Sequence, residues 1–133
     1  MEKVLLDTNF CMIPGQFKVD IFSEIRRILP TAKVCTLDLN IEELKRLEKE
    51  GSLKERRAAR IALQLIKQKD VCIIKTKSFL NTSQNPKDAD EALAEFAAQG
   101  YIIATQDREL KRRIKGPIIV MRKKKFLILI TRG

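Results

Sequence analysis

Lys3-Val4-Leu5-Leu6-Asp7-Thr8-Asn9 and, far along the chain, Tyr101-Ile102-Ile103-Ala104-Thr105-Gln106-Asp107 share one grammar. Each is a short apolar run that reads as a buried strand and ends at an acid. Working outward, Phe17, Ile21, Phe22, Ile25, Ile28 and Leu29 recur at helical spacing before Pro30, and Lys33 to Leu37 is a second strand. Ile41, Leu44 and Leu47 mark a helix closed near Gly51, and Ala58, Ile61, Ala62, Leu65 and Ile66 mark another. Val71 to Ile74 is a third strand, and Lys75 to Lys87 reads as a loop. Ala89, Leu93, Phe96 and Ala97 give a helix ended by Gly100, and Leu110 and Ile114 belong to a short basic helix. Ile118 to Met121 and Phe126 to Ile130 form a terminal hairpin around Arg122-Lys123-Lys124-Lys125. Strands that alternate with helices predict an α/β three-layer sandwich with a mostly parallel central sheet. Right-handed crossovers place helices on both of its faces.

Length and composition narrow the function. The 133 residues fit one domain, residues 1–133, and 44% hydrophobic content is enough for an ordinary core. Lys plus Arg number 27 against 17 Asp plus Glu, a formal net charge of +10, which points to a polyanion, nucleic acid first. Met1-Glu2-Lys3 runs straight into a strand-like segment, which speaks against a secretory leader. No segment approaches the roughly 20 apolar residues of a membrane span, so no membrane partner is expected. Cys11, Cys35 and Cys72 are widely spaced with no Cys-x-x-Cys pair, which fits a reducing cytoplasm and core positions for Cys35 and Cys72. There is no histidine. That removes Ser-His-Asp and Cys-His nucleophiles, histidine acid–base ribonuclease chemistry and histidine-ligated zinc. Any hydrolysis by this chain is expected to lean on carboxylates and hard metal ions.

Four acids qualify: Asp7, Glu43, Asp90 and Asp107. Ligands of an open parallel sheet bind beyond the carboxyl ends of its strands. Asp7 and Asp107 follow strands, and Glu43 and Asp90 fall in the first turns of helices that begin at the same edge. With Ile41, Leu44 and Leu47 facing the core, Glu43 lies about 100° from the face centre and Glu42 about 160°. Asp90 shares a stripe with Leu93 and Ala97, whereas Glu91 points nearly opposite. Each acid also has a plainer reading. Asp107 can cap the basic helix, Glu43 can pair with Asn40 in a capping box, Asp90 can complement a helix dipole, and Asp7 can serve a turn. Four acids at one edge of a basic protein favour a site for Mg²⁺ or Mn²⁺, hard ions that prefer oxygen ligands. Two such ions about 3.5–4 Å apart, or one ion with a water-positioning acid, suit in-line phosphodiester displacement.

These residues resemble the PIN-domain nuclease family. Leu5-Leu6-Asp7-Thr8-Asn9 is similar to its opening strand and first acid, and Asn40-Ile41-Glu42-Glu43-Leu44 to its helical second acid. Ala89-Asp90-Glu91-Ala92-Leu93 matches the third, and Ala104-Thr105-Gln106-Asp107-Arg108-Glu109-Leu110 the Thr-x-Asp fourth. Many relatives carry two acids where this chain has Asp90-Glu91. The resemblance implies a PIN-like fold and Mg²⁺- or Mn²⁺-dependent cleavage of single-stranded RNA or flexible RNA junctions. Asp7, Glu43, Asp90 and Asp107 are then metal-binding and catalytic. Asn9 would orient Asp7 or a bound water, and Thr105 would hydrogen-bond a carboxylate. Asp7-Thr8-Asn9-Phe10 and Gln106 to Ile114 look similar to the branch that processes precursor small-subunit ribosomal RNA. A VapC-like toxin ribonuclease and a non-catalytic RNA-binding scaffold in ribosome assembly are the alternatives, with a homodimer or ribosome-assembly proteins as partners.

Three basic runs can hold the RNA backbone: Lys111, Arg112, Arg113 and Lys115; Arg122 to Lys125; and Lys54, Arg56, Arg57 and Arg60. The first adjoins Asp107 and is the preferred phosphate contact. Aromatic residues are only 5% of the chain, with no tryptophan, so base stacking is not expected to dominate.

Overall fold

Two apolar cores, one on each face of a six-stranded sheet, organise the chain. The computed structural model describes residues 2–76 and 89–131. In chain order the described elements are β1 (Lys3–Leu6), α1 (Thr8–Cys11), α2 (Ile13–Phe17), α3 (Ile21–Ile28), β2 (Lys33–Leu37), α4 (Asp38–Glu50), α5 (Leu53–Gln68) and β3 (Cys72–Ile74). They continue with α6 (Ala89–Ala98), β4 (Ile102–Ala104), α7 (Arg108–Arg113), β5 (Ile118–Arg122) and β6 (Phe126–Ile130). The sheet order is β3-β2-β1-β4-β5-β6. Every pairing is parallel except the β5–β6 hairpin. This is the three-layer, mostly parallel sandwich expected from the alternation of strands and helices. The expected loop from Lys75 to Lys87 lies mostly outside the described residues.

The pleat explains why these strands read as continuous apolar runs. Successive side chains point to opposite faces, and both faces are covered. Val4 and Leu6 of β1, with Ile119 and Met121 of β5, pack against α1 to α5. Leu5, Ile118 and Val120 pack on the other face with Ala92, Leu93 and Phe96 of α6 and Leu110 of α7. Gly15 lets α2 approach α5 closely: a Cβ there would lie 2.8 Å from the Ala58 Cα.

The long helix expected from Phe17 to Leu29 is instead two. Lys18 takes a left-handed backbone (φ 58°), which closes α2 after Phe17. Asp20 then starts α3, its carboxylate accepting from the N–H groups of Phe22 and Ser23. The next helix begins earlier than its apolar spacing implies. Leu37 is the N-cap of α4, so Asn40 stands at the third helical position, not at the cap. Outside the hairpin, Glu24 and Arg27 of α3 reach β6. The Leu127 N–H donates to Glu24 (3.0 Å), and Arg27 donates to the Leu127 carbonyl (2.8 Å).

The strand order reverses direction between β1 and β4. From β1 the sheet grows one way through β2 and β3, and from β4 the other way through β5 and β6. The chain segments that leave the carboxyl ends of β1 and β4 therefore diverge, and open a crevice at that edge.

Candidate active site

Asp7 leaves β1 at this crevice. Its backbone N–H still bonds the Ala104 carbonyl of β4 (3.2 Å), so the sheet ladder runs to the residue itself. Its side chain caps α1, with the Phe10 N–H donating to Oδ1 at 2.6 Å. The Thr105 hydroxyl, just past β4, donates to the other oxygen, Oδ2. Thr105 also accepts from the Asp107 N–H (3.0 Å) and so links two of the acids through one fully buried hydroxyl. Asp7 is oriented by Phe10 and Thr105. Asn9, expected to orient Asp7 or a bound water, is exposed and lines the same cleft as Asp7.

Asp7, Thr8, Asn9, Glu43, Asp90 and Asp107 line one cleft of about 230 Å³. Four separate segments thus bring all four sequence-predicted acids to one place. The plain reading of Asp107 is also true, because its carboxylate caps α7 through the N–H groups of Glu109 and Leu110. One oxygen, Oδ1, accepts both of these bonds. The capping-box reading of Glu43 does not survive the earlier start of α4. Asn40 instead closes back on the Leu37 N–H (3.2 Å). Glu42 is exposed, as its helical phase predicts, while Glu43 is half-buried in the cleft. Asp90 lines the cleft from the first turn of α6. Glu91 is half-buried, not turned out to solvent as its phase implied.

A buried polar layer beneath the acids was not visible in the sequence. The Asn40 side chain donates to the Thr8 hydroxyl (2.9 Å), and the Thr36 hydroxyl donates to the Leu6 carbonyl (2.9 Å). All three of these side chains are almost fully buried. They tie the turn after β1 to the first turn of α4, and so set the position of Glu43 relative to Asp7. Asparagine in the first turn of a helix was the available signal, but its long-range partner was not. A second tether, Asp38 to the N–H and hydroxyl of Thr76, fixes the chain end of β3 against α4.

Burial, more than the neighbouring charges, sets the electrostatics of Asp7 in the cleft. Burial pushes the Asp7 carboxyl up to about 7, and the charges of Asp90 and Asp107 add to it. The bonds from Thr105 and Phe10 oppose the rise without cancelling it. Cys11 beneath is held protonated, pushed up to about 12 by burial and then by the Asp7 charge, so it is no nucleophile. The donor set is oxygen only, which fits a hard divalent cation. Among the described residues no group of three acidic or sulfur side chains is close enough to hold one ion together. The fit is therefore to an ion that takes one or two carboxylates and keeps several waters, as Mg²⁺ does.

Lys111, Arg112 and Arg113 do not line the cleft. Arg112 is ion-paired with Glu109 one turn away (3.1 Å).

A family model described as a PIN-like domain matches residues 4–124, nearly the whole of this architecture. The chain belongs to the PIN-like domain family. A sequence relative of this PIN-like domain is the ribonuclease VapC4 of Methanocaldococcus jannaschii, 33% identical over 132 residues and covering 95% of each chain. Ribonuclease VapC9 of Archaeoglobus fulgidus is 34% identical over 117 residues, covering 84% of this chain and 74% of the relative. Two solved structures share the fold. The PIN-domain endonuclease Utp24 superposes with a TM-score of 0.73 at 24% identity, over 98% of this chain and 93% of the other. A chain of the VapBC2 complex of Rickettsia felis, bound to a promoter DNA fragment, gives 0.60 at 16% identity, over 90% and 99%.

Proposed function

We propose that this PIN-like domain is a divalent-metal-dependent endoribonuclease. The observation that carries the reading is the convergence of Asp7, Glu43, Asp90 and Asp107 on one cleft at the point where the strand order reverses. The sequence relatives named as ribonucleases support RNA as the substrate. Asp7 and Asp107, joined through Thr105, would hold the ion directly, and Asp90 and Glu43 would reach its waters from the same cleft. When bound, Mg²⁺ or Mn²⁺ neutralises these acids and polarises a phosphodiester for attack by water. Thr105 and the Phe10 N–H keep Asp7 in one rotamer, so the carboxylate needs no reorganisation on loading. Asn40 and Thr8 hold the Glu43 helix at a fixed offset from Asp7.

The decisive assay is cleavage of a structured RNA with Mn²⁺ by the wild type and by Asp7→Asn. Wild-type cleavage that the variant loses, with its fold intact by circular dichroism, supports the reading. Undiminished cleavage by the variant refutes the site, and RNA binding without cleavage under any divalent metal leaves a scaffold. The biological role divides in two. The VapC relatives favour a toxin-type ribonuclease, which predicts growth arrest on induced expression. The sequence around Asp7 and Asp107 favours processing of a ribosomal RNA precursor, which predicts unaffected growth and accurate trimming of that precursor in vitro.

A further inference from the structure

A larger groove of about 650 Å³ runs on from the acid cleft and shares Asn9 with it. Phe17, Gln106, Met121, Lys123 and Lys124 form much of its wall. Three features distinguish it from ordinary surface. First, Phe17 is 37% exposed, whereas Phe10, Phe22 and Phe96 are buried in the cores. Second, the Lys124 Nζ stands 5.6 Å from the centroid of the Phe17 ring, so an ammonium and an aromatic face share this wall. Third, the lysines occupy a turn where other residues fit better. The Lys125 N–H bonds the Arg122 carbonyl, and both central residues, Lys123 (φ 54°) and Lys124 (φ 52°), are left-handed. Such turns usually take Asn-Gly.

The groove is also braced to the site. The Gln106 side chain accepts from the Met121 N–H (2.7 Å) and donates to the Met121 carbonyl (3.4 Å). That clasp locks the residue before Asp107 to the hairpin strand, so acids and lysines hold a fixed spacing. An acidic end and a basic, aromatic end suit a chain with phosphates at intervals and flat bases between them. The acids require a cation before a phosphate can enter, while the lysines attract phosphate directly. The geometry points to this groove as the path of single-stranded RNA flanking the cleaved bond, with a base on Phe17 and phosphates on Lys123 and Lys124. This rests on the endoribonuclease reading and moves the main backbone contact from Lys111–Arg113 to the hairpin.

The test is binding of a fluorescent single-stranded RNA in chelator, where no cleavage occurs, by the full chain. Phe17→Ala should weaken binding about 5-fold or more, the loss expected of one stacked base, and Phe17→Trp should restore it. Lys123→Ala and Lys124→Ala should each lower the slope of log affinity against log salt by about 0.7, the value for one phosphate on a single strand. In Mn²⁺, Phe17→Ala should raise KM with kcat unchanged. Unchanged affinity and unchanged salt slopes overturn the proposal, as does a wild type that binds no single-stranded RNA. Cleavage that ignores these substitutions sinks the groove and keeps the nuclease. Groove-dependent binding with no cleavage keeps the groove and sinks the nuclease.

Discussion

Replacing Asp7 with asparagine should stabilise the metal-free protein, and should do so more as pH rises. The Asp7 carboxyl is raised from 3.8 to about 7 by burial and by the neighbouring acids. The folded state therefore holds its proton more tightly than the unfolded state. Stability from this group is fully present below the unfolded value and is lost as pH climbs towards 7. The gap of about 3 units, at about 1.4 kcal/mol per unit, sets an upper limit of about 4 kcal/mol on that loss. Asparagine does not titrate, and it can still accept from the Phe10 N–H. It disturbs the Thr105 bond, at a pH-independent cost of about 1 kcal/mol. Between about pH 5 and pH 8 the stability difference should move by about 2–3 kcal/mol in favour of the variant. Urea denaturation in chelator at the two pH values measures this. With Mn²⁺ at about a hundred times its dissociation constant the wild type regains about 2.7 kcal/mol, and the preference should shrink or invert. A difference that stays flat with pH would refute the argument that burial and the facing acids hold Asp7 near neutrality.

Thr105→Val keeps the shape but removes the hydroxyl that links Asp7 and Asp107. It should cost about 1–3 kcal/mol of stability, read by urea denaturation, and should shift the acid limb of the cleavage profile to higher pH. Gly15→Ala forces a methyl to within 2.8 Å of the Ala58 Cα and should cost about 1–3 kcal/mol by thermal melting. Folded Gly15→Ala protein should keep its kcat, because α2 and α5 do not line the acid cleft, and should raise KM, because α2 carries Phe17.

Much of the architecture was legible because buried parallel strands are short apolar runs and their acids fall where the runs end. Helical phase also separated Glu43 from Glu42, since Leu44 and Leu47 face the core unambiguously. What stayed hidden had two causes. Helices α1 and α2 are four and five residues long, too short for a period to show, and they are set by the Asp7 cap and by Pro14 near the start of α2. The break at Lys18 depends on a left-handed backbone that lysine sequence does not announce. Long-range pairings were the other cause. The Asn40–Thr8, Thr105–Asp7 and Gln106–Met121 bonds join residues far apart in the chain, and no local pattern encodes them.

The bonds from Glu24 and Arg27 to Leu127 bear on how this protein behaves in a crowded solution. The outermost strand, Phe-Leu-Ile-Leu-Ile, has the composition that templates cross-chain stacking. At its second residue, Leu127, both the backbone N–H and the carbonyl are already occupied by an ion pair from the protein's own helix. A foreign strand has to displace a charged carboxylate and a guanidinium before it can zip along the edge. Those two side chains act as a gatekeeper, and keep a chain with an adhesive border from growing into a ribbon of its own copies.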